Sequence, residues 1–190
     1  GGFKPPTRGH FEVVKKALED NPNIDKLQVV VGGGSRDGIE QAESLLVWEE
    51  YKKYLPMKVE IVPASKPPIK TVYNYAKDNP DQKVYWVLGA REGRDDDMKD
   101  ISSRTKSLNK YNNVELKIIQ TPDKGMSGTN AREALKRGDQ GGFTKFLPYE
   151  LEDSEKDNIF NILRSTEDLN EVVEDKILYA FDLDDTLITS

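Results

Sequence analysis

The stretch GGFKPPTRGHFEVVKKALED (1–20), with LQVVVGGGS (27–35) after it, decides how the chain folds. Phe11, Val14 and Leu18 recur three and four residues apart, which is the spacing of one helix face. LQVVV is a short apolar run closed by Gly32, Gly33 and Gly34, the pattern of a buried strand that ends in a tight loop. The same alternation continues downstream. IEQAESLLVWEEYKKYL (39–55) reads as a helix and KVEIV (58–62) as a strand. IKTVYNYAKD (69–78) puts Ile69, Val72, Tyr73 and Ala76 on one helical face, and KVYWVL (83–88) is a strand ending at Gly89. A charged stretch covers 91–112, VELKIIQ (114–120) is a strand, and a helix is expected around 130–137.

Strands separated by helices imply β-α-β units and a parallel sheet. The expected fold class is therefore α/β, a Rossmann-like parallel sheet flanked by helices, followed by acidic helices and a C-terminal strand. Such sheets bind ligands beyond the carboxyl ends of their strands. The glycine-bearing segments 32–36, 89–95 and 125–129 all follow predicted strands, so they should gather on that edge.

Composition narrows the chemistry. The 190 residues contain no cysteine and one histidine, which removes disulfide frameworks, thiolate zinc sites and any mechanism that needs two imidazoles. No run approaches a membrane span, and no charged segment followed by an apolar one resembles a signal peptide. A cytoplasmic protein without membrane contact is the expectation. Residues 149–175 carry ten acids and two bases, a net of −8, and residues 176–190 a net of −2, so the first 148 residues hold +4 against −6 for the whole. A mildly basic body suits an anionic small molecule better than a nucleic acid.

The segment Gly1-Gly2-Phe3-Lys4-Pro5-Pro6-Thr7-Arg8-Gly9-His10 opens straight into a helix. Glycines let backbone approach a phosphate, and helix N-termini attract anions. A histidine in the first helical turn would point into such an anion site. The plainer reading is an ordinary turn with a surface histidine. Further on, Ser127-Gly128-Thr129-Asn130-Ala131-Arg132 precedes a helix. Asn130 and Glu133 have capping-box spacing, so this segment also reads as a simple helix start.

The two segments together resemble the nucleotidylyltransferase family, whose first signature is G-x-F-x-P-x-H/T-x-G-H and whose second is S-S/G/T-T-x-x-R. Gly1, Phe3, Pro5, Thr7, Gly9 and His10 match the first in register, and Lys4 stands where relatives often carry Asp or Asn. The resemblance covers roughly residues 1–148 and implies a transfer of nucleoside monophosphate to a phosphate-bearing acceptor, with pyrophosphate leaving. It implies AMP transfer from ATP, with CTP as the alternative donor and magnesium accompanying the triphosphate. A non-catalytic nucleotide-binding module of the same fold is the other alternative. By the same resemblance His10 and Arg132 are catalytic. Gly1, Gly2, Phe3, Gly9, His10, Gly89, Arg91, Ser127, Gly128, Thr129 and Arg132 would bind nucleotide, and Arg94 is a further phosphate candidate. Thr7 and Arg36 would bind the acceptor.

The tail differs. Asp182-Leu183-Asp184-Asp185-Thr186, after ILYAF, resembles the first motif of haloacid-dehalogenase phosphatases, which implies that Asp182 and Asp184 would gather around magnesium only where a complete phosphatase domain follows; no other protein-held metal is expected. The expected division is a transferase domain at 1–148 whose first strand lies before residue 1, an acidic helical linker at 149–175, and the start of a phosphatase-like domain at 176–190. The oligomeric state is left open.

Overall fold

The computed structural model describes residues 2–65, 67–93, 95–106, 108–121 and 127–175, with residues 104 and 165–175 as backbone only. Gly1, Arg94, Asp182, Asp184 and the expected C-terminal strand lie outside them. In chain order the elements are α1 (Arg8–Asp20), β1 (Leu27–Val31), α2 (Gln41–Lys52), β2 (Val59–Pro63), α3 (Pro68–Asp78), β3 (Val84–Arg91), α4 (Asp95–Arg104), a 3₁₀ turn (Leu108–Lys110), β4 (Val114–Thr121), α5 (Gly128–Lys136), α6 (Gln140–Thr144) and α7 (Asp153–Asp175).

The periodicities locate α1, α2, α3, α5 and β1 to β4 to within a few residues. Phe11, Val14, Ala17 and Leu18 are the buried face of α1. Pro67 and Pro68 open α3, where a missing N–H costs nothing. Asn113 ends the connection into β4 by donating from Nδ2 to the carbonyls of Ala76, Asn79 and Gln82 at 2.9, 3.0 and 3.1 Å. That one side chain ties the end of α3 to the start of β4.

The strands form two parallel pairs. Leu27 to Val31 run beside Val59 to Pro63, and Val84 to Arg91 run beside Val114 to Thr121. The protein is thus mixed α/β with parallel pairing, and among the described residues β1–β2 and β3–β4 are separate two-stranded sheets rather than one. The main core collects the inner faces of β1, β2, α1, α2, α5 and α7, with Trp48, Tyr51, Phe11 and Phe143 the largest side chains in it.

Two expectations need correcting, and one element is added. The charged stretch 91–112, whose periodicity marks no element, holds a helix: Asp95–Arg104, with three aspartates in the first turn, where the helix dipole favours them. Gly89, Ala90 and Arg91 do not follow a strand; they are its last residues. The acidic region is one long helix, α7, rather than several surface helices. Its Ile159, Phe160 and Leu163 are buried in the main core, while Asp153 and Asp157 are exposed. A charge run at the level of composition concealed an amphipathic helix.

Burying Ile159 makes α7 part of the core. Ile159→Ala should lower unfolding free energy by about 2–5 kcal/mol, measured by urea denaturation. A loss under about 1 kcal/mol would show that α7 is peripheral.

Candidate functional site

One face of α2 holds the opening turn of the chain. Ser44, Trp48 and Tyr51, spaced four and three apart, all meet it. Ser44 Oγ donates to the Phe3 carbonyl at 2.7 Å, and Tyr51 Oη donates to the Pro6 carbonyl at 3.1 Å. The Trp48 ring meets Phe3 edge-on at 5.2 Å. Phe3 takes φ 52, a left-handed conformation that costs a non-glycine residue about 1–2 kcal/mol. Contacts with Ser44, Trp48 and His10 hold it there, the His10 ring lying edge-on at 5.0 Å. Gly2 is exposed, with open space where a Cβ would stand, so backbone at this end is accessible.

Lys4 is buried beneath the turn. Its Nζ donates to the Gly32 carbonyl at 3.4 Å, just past β1, and to Ser44 Oγ at 3.3 Å. Burial pushes its pKa below the ordinary lysine value, and the charges of Glu40 and Glu43 oppose that.

Thr7 caps α1 and is 1% exposed. Its backbone N–H donates to His10 Nδ1 at 3.0 Å. That bond uses the Nδ1 lone pair, so the neutral ring carries its proton on Nε2 and presents a donor there. Desolvation lowers the His10 pKa to about 4, which keeps the ring neutral near pH 7. Gly9 lies in the first turn of α1 beside it. Thr7, expected to contact an acceptor, is spent on capping and on orienting His10.

The second segment meets the first directly. Ser127 is the N-cap of α5, its Oγ accepting from the Asn130 N–H at 3.1 Å. The cap therefore sits at Ser127, not at Asn130 as the spacing to Glu133 suggested. Arg132 is 6% exposed. Its Nη1 donates to the Lys4 carbonyl at 2.7 Å, its Nη2 to Thr129 Oγ1 at 3.2 Å and its Nε to Asp37 Oδ2 at 2.5 Å. Gly128 leaves room for this approach: a Cβ there would stand 3.1 Å from Arg132 Nη1, which would have to give by a few tenths of an ångström, and 3.7 Å from the Lys4 carbonyl oxygen. Gly33 is similarly crowded, 3.2 Å from the Ala64 carbonyl oxygen. The loops after β1 and β2, the opening turn and the start of α5 thus share one edge.

Two candidates are placed differently. Arg91 is bound to Asp97 of α4, Nε to Oδ2 at 2.9 Å and Nη2 to Oδ1 at 2.6 Å, a bidentate pair that competes with phosphate. A Cβ on Gly89 would meet Val13 Cγ2 of α1 at 2.8 Å, so this glycine's visible role is to let α1 lie close to β3. Arg36 is exposed in a turn whose backbone pairs with Ile39.

Sequence reasoning passed over Asp37, Lys136 and Ser44. An acid between Arg36 and Gly38, on the expected ligand edge, was a signal; its pairing with residues about a hundred positions away was not. Among the described residues no group of three or more histidine and acidic side chains converges to hold a metal, and no helix is long and apolar enough to cross a membrane. No protein-family model matches the chain, and no curated protein matches it.

Because its folded-state pKa is depressed, His10 stabilises the fold fully above about pH 6.5, and that contribution is lost as pH falls through about 4. Ring ¹⁵N chemical shifts should show the Nε2–H tautomer at pH 7 and a midpoint near 4. A midpoint near 6.5 would mean a solvated ring.

Proposed function

We propose that the protein is a nucleotidylyltransferase acting on a phosphorylated small molecule, with ATP as donor. The observation that supports this reading most is the 2.7 Å bond from Arg132 to the Lys4 carbonyl, which joins the two signature segments across more than a hundred residues of sequence. On this reading the two parallel strand pairs are parts of one Rossmann-like arrangement, with the ligand on their shared carboxyl edge.

The chemistry suits the residues. An oxygen of the acceptor phosphate attacks the α-phosphorus of the triphosphate, and the bond to the β-phosphate oxygen breaks as pyrophosphate leaves. The acceptor oxygen is already anionic, so no general base is needed. Positioning and charge stabilisation supply the catalysis. Neutral His10, its proton fixed on Nε2, would donate a hydrogen bond to the α-phosphate as charge builds there. The backbone at Gly2 and Phe3 is open to approach. Thr129, the N-terminus of α5 and Arg132 would take the outer phosphates. Magnesium enters as the triphosphate's own counter-ion, part of the substrate; Arg132, Lys136 and the hydroxyls of Ser127 and Thr129 fit phosphate oxygens rather than a protein-held cation.

A second reading is favoured by how fully Arg132 is engaged with protein acceptors. A module that binds nucleotide without turnover would use the same clamp. Pyrophosphate release, with each of the four triphosphates against a panel of phosphorylated acceptors, separates the two. ATP with one acceptor should give turnover. Triphosphate binding without pyrophosphate from any pair would favour the module.

With a turnover assay in hand, His10→Ala should lower kcat by roughly 10²–10³-fold, as loss of a transition-state donor does, with the fold intact. Near-native turnover in that variant would remove His10 from the mechanism.

A further inference from the structure

Asp37 sits in a conformation that needs explaining. It takes φ 51, between Gly34 at φ 86 and Gly38 at φ 78. Left-handed backbone costs most residues about 1–2 kcal/mol and aspartate less, because its short side chain can bond locally; here what the side chain binds helps to hold the turn. That partner is a pair of cations. Oδ2 accepts from Arg132 Nε at 2.5 Å and Oδ1 from Lys136 Nζ at 3.1 Å. Arg132 and Lys136 are four apart on α5, so they lie on one face of that helix.

A carboxylate and a phosphate present oxygens of the same spacing to a guanidinium. Any phosphate that engages Arg132 through Nε must therefore take the place Asp37 holds. We propose that Asp37 is a built-in competitor: in the unliganded protein its carboxylate fills an anion site made by Arg132 and Lys136, and a polyphosphate binds by displacing it, with Lys136 becoming a phosphate ligand. The inference rests on the proposed nucleotidyl-transfer reading for its choice of ligand.

The loop is built for such an exchange. Asp37 is about one-third exposed, so solvent and solute reach its carboxylate. Two glycines in left-handed conformations flank it and can change backbone angles at little cost. Beyond them β1 and α2 are anchored in the core and need not move. The two cations hold the Asp37 carboxyl below the usual carboxylate range, Lys136 contributing most and Arg132 next. One carboxylate facing two cations leaves a positive excess. A ligand carrying several negative charges satisfies both cations better than the single carboxylate, which selects a polyphosphate over a carboxylic acid.

Calorimetry with inorganic tripolyphosphate tests this on the intact chain. Asp37→Asn keeps the shape of the turn and removes the competing charge, so it should bind tripolyphosphate about tenfold more tightly than wild type, because less of the protein is held in the occupied state. Unchanged or weaker binding would overturn the proposal and make Asp37 a positioning residue for Arg132. A second measurement uses wild type only, in case the variant does not fold. The ¹³C titration of the Asp37 carboxyl should start below the usual range and rise into or above it when tripolyphosphate is present. A carboxyl still depressed in the saturated complex would show that it never leaves the cations. Tripolyphosphate carries no nucleoside, so the result is independent of turnover. Tighter binding by the variant without nucleotidyl transfer would sink the proposed function alone. Transfer by wild type with no gain in the variant would sink the competitor alone.

Discussion

The guanidinium of Arg132 spends its donors on three separate segments: the carbonyl of Lys4 in the opening turn, the carboxylate of Asp37 in the loop after β1, and the hydroxyl of Thr129 on its own helix. A charge buried this deeply persists only with its hydrogen bonds made and its charge answered. Each of those partners is therefore fixed relative to the others. The turn cannot lift without leaving a buried N–H unpaired, and the loop cannot open without another anion to take its place. Arginine suits the post because its planar fork reaches several acceptors in set directions, which a lysine ammonium does not.

Lys4 completes the arrangement from below. Its carbonyl receives Arg132 while its ammonium reaches Gly32 and Ser44, so one residue of the turn is held at both ends. Together with Tyr51 and Trp48, these contacts keep Phe3 in a left-handed conformation and bring its ring against His10. His10 in turn is oriented by the Thr7 N–H. The imidazole's tautomer, its low pKa and its direction all follow from that packing.

Much of this was legible in the sequence. The spacing of Phe11, Val14 and Leu18 predicts α1, and apolar runs bounded by glycine, proline and asparagine predict the four strands among the described residues, because both patterns are local. The gathering of the opening turn with Ser127–Arg132 followed from strand order and from the family resemblance. What local pattern could not give was long-range pairing. Nothing in the loop around Asp37 names Arg132 as its partner, since that contact depends on where β1 and α5 end in space. The burial of α7 was hidden because ten acids dominate residues 149–175, while Ile159, Phe160 and Leu163 occupy the one face that matters. Helix α4 is illegible for the opposite reason: DDDMKDISSR offers too few apolar residues to mark a helical face.

If the Arg132 fork positions the opening turn, the ionisation of His10 must depend on it. Arg132→Lys keeps the charge and loses the fork, and ring ¹⁵N titration of His10 in that variant reads the consequence. The account predicts that the midpoint climbs from about 4 toward 6.5 as the turn loosens and water reaches the ring. A folded Arg132→Lys protein whose His10 still titrates near 4 would show that the turn keeps its geometry without the clamp.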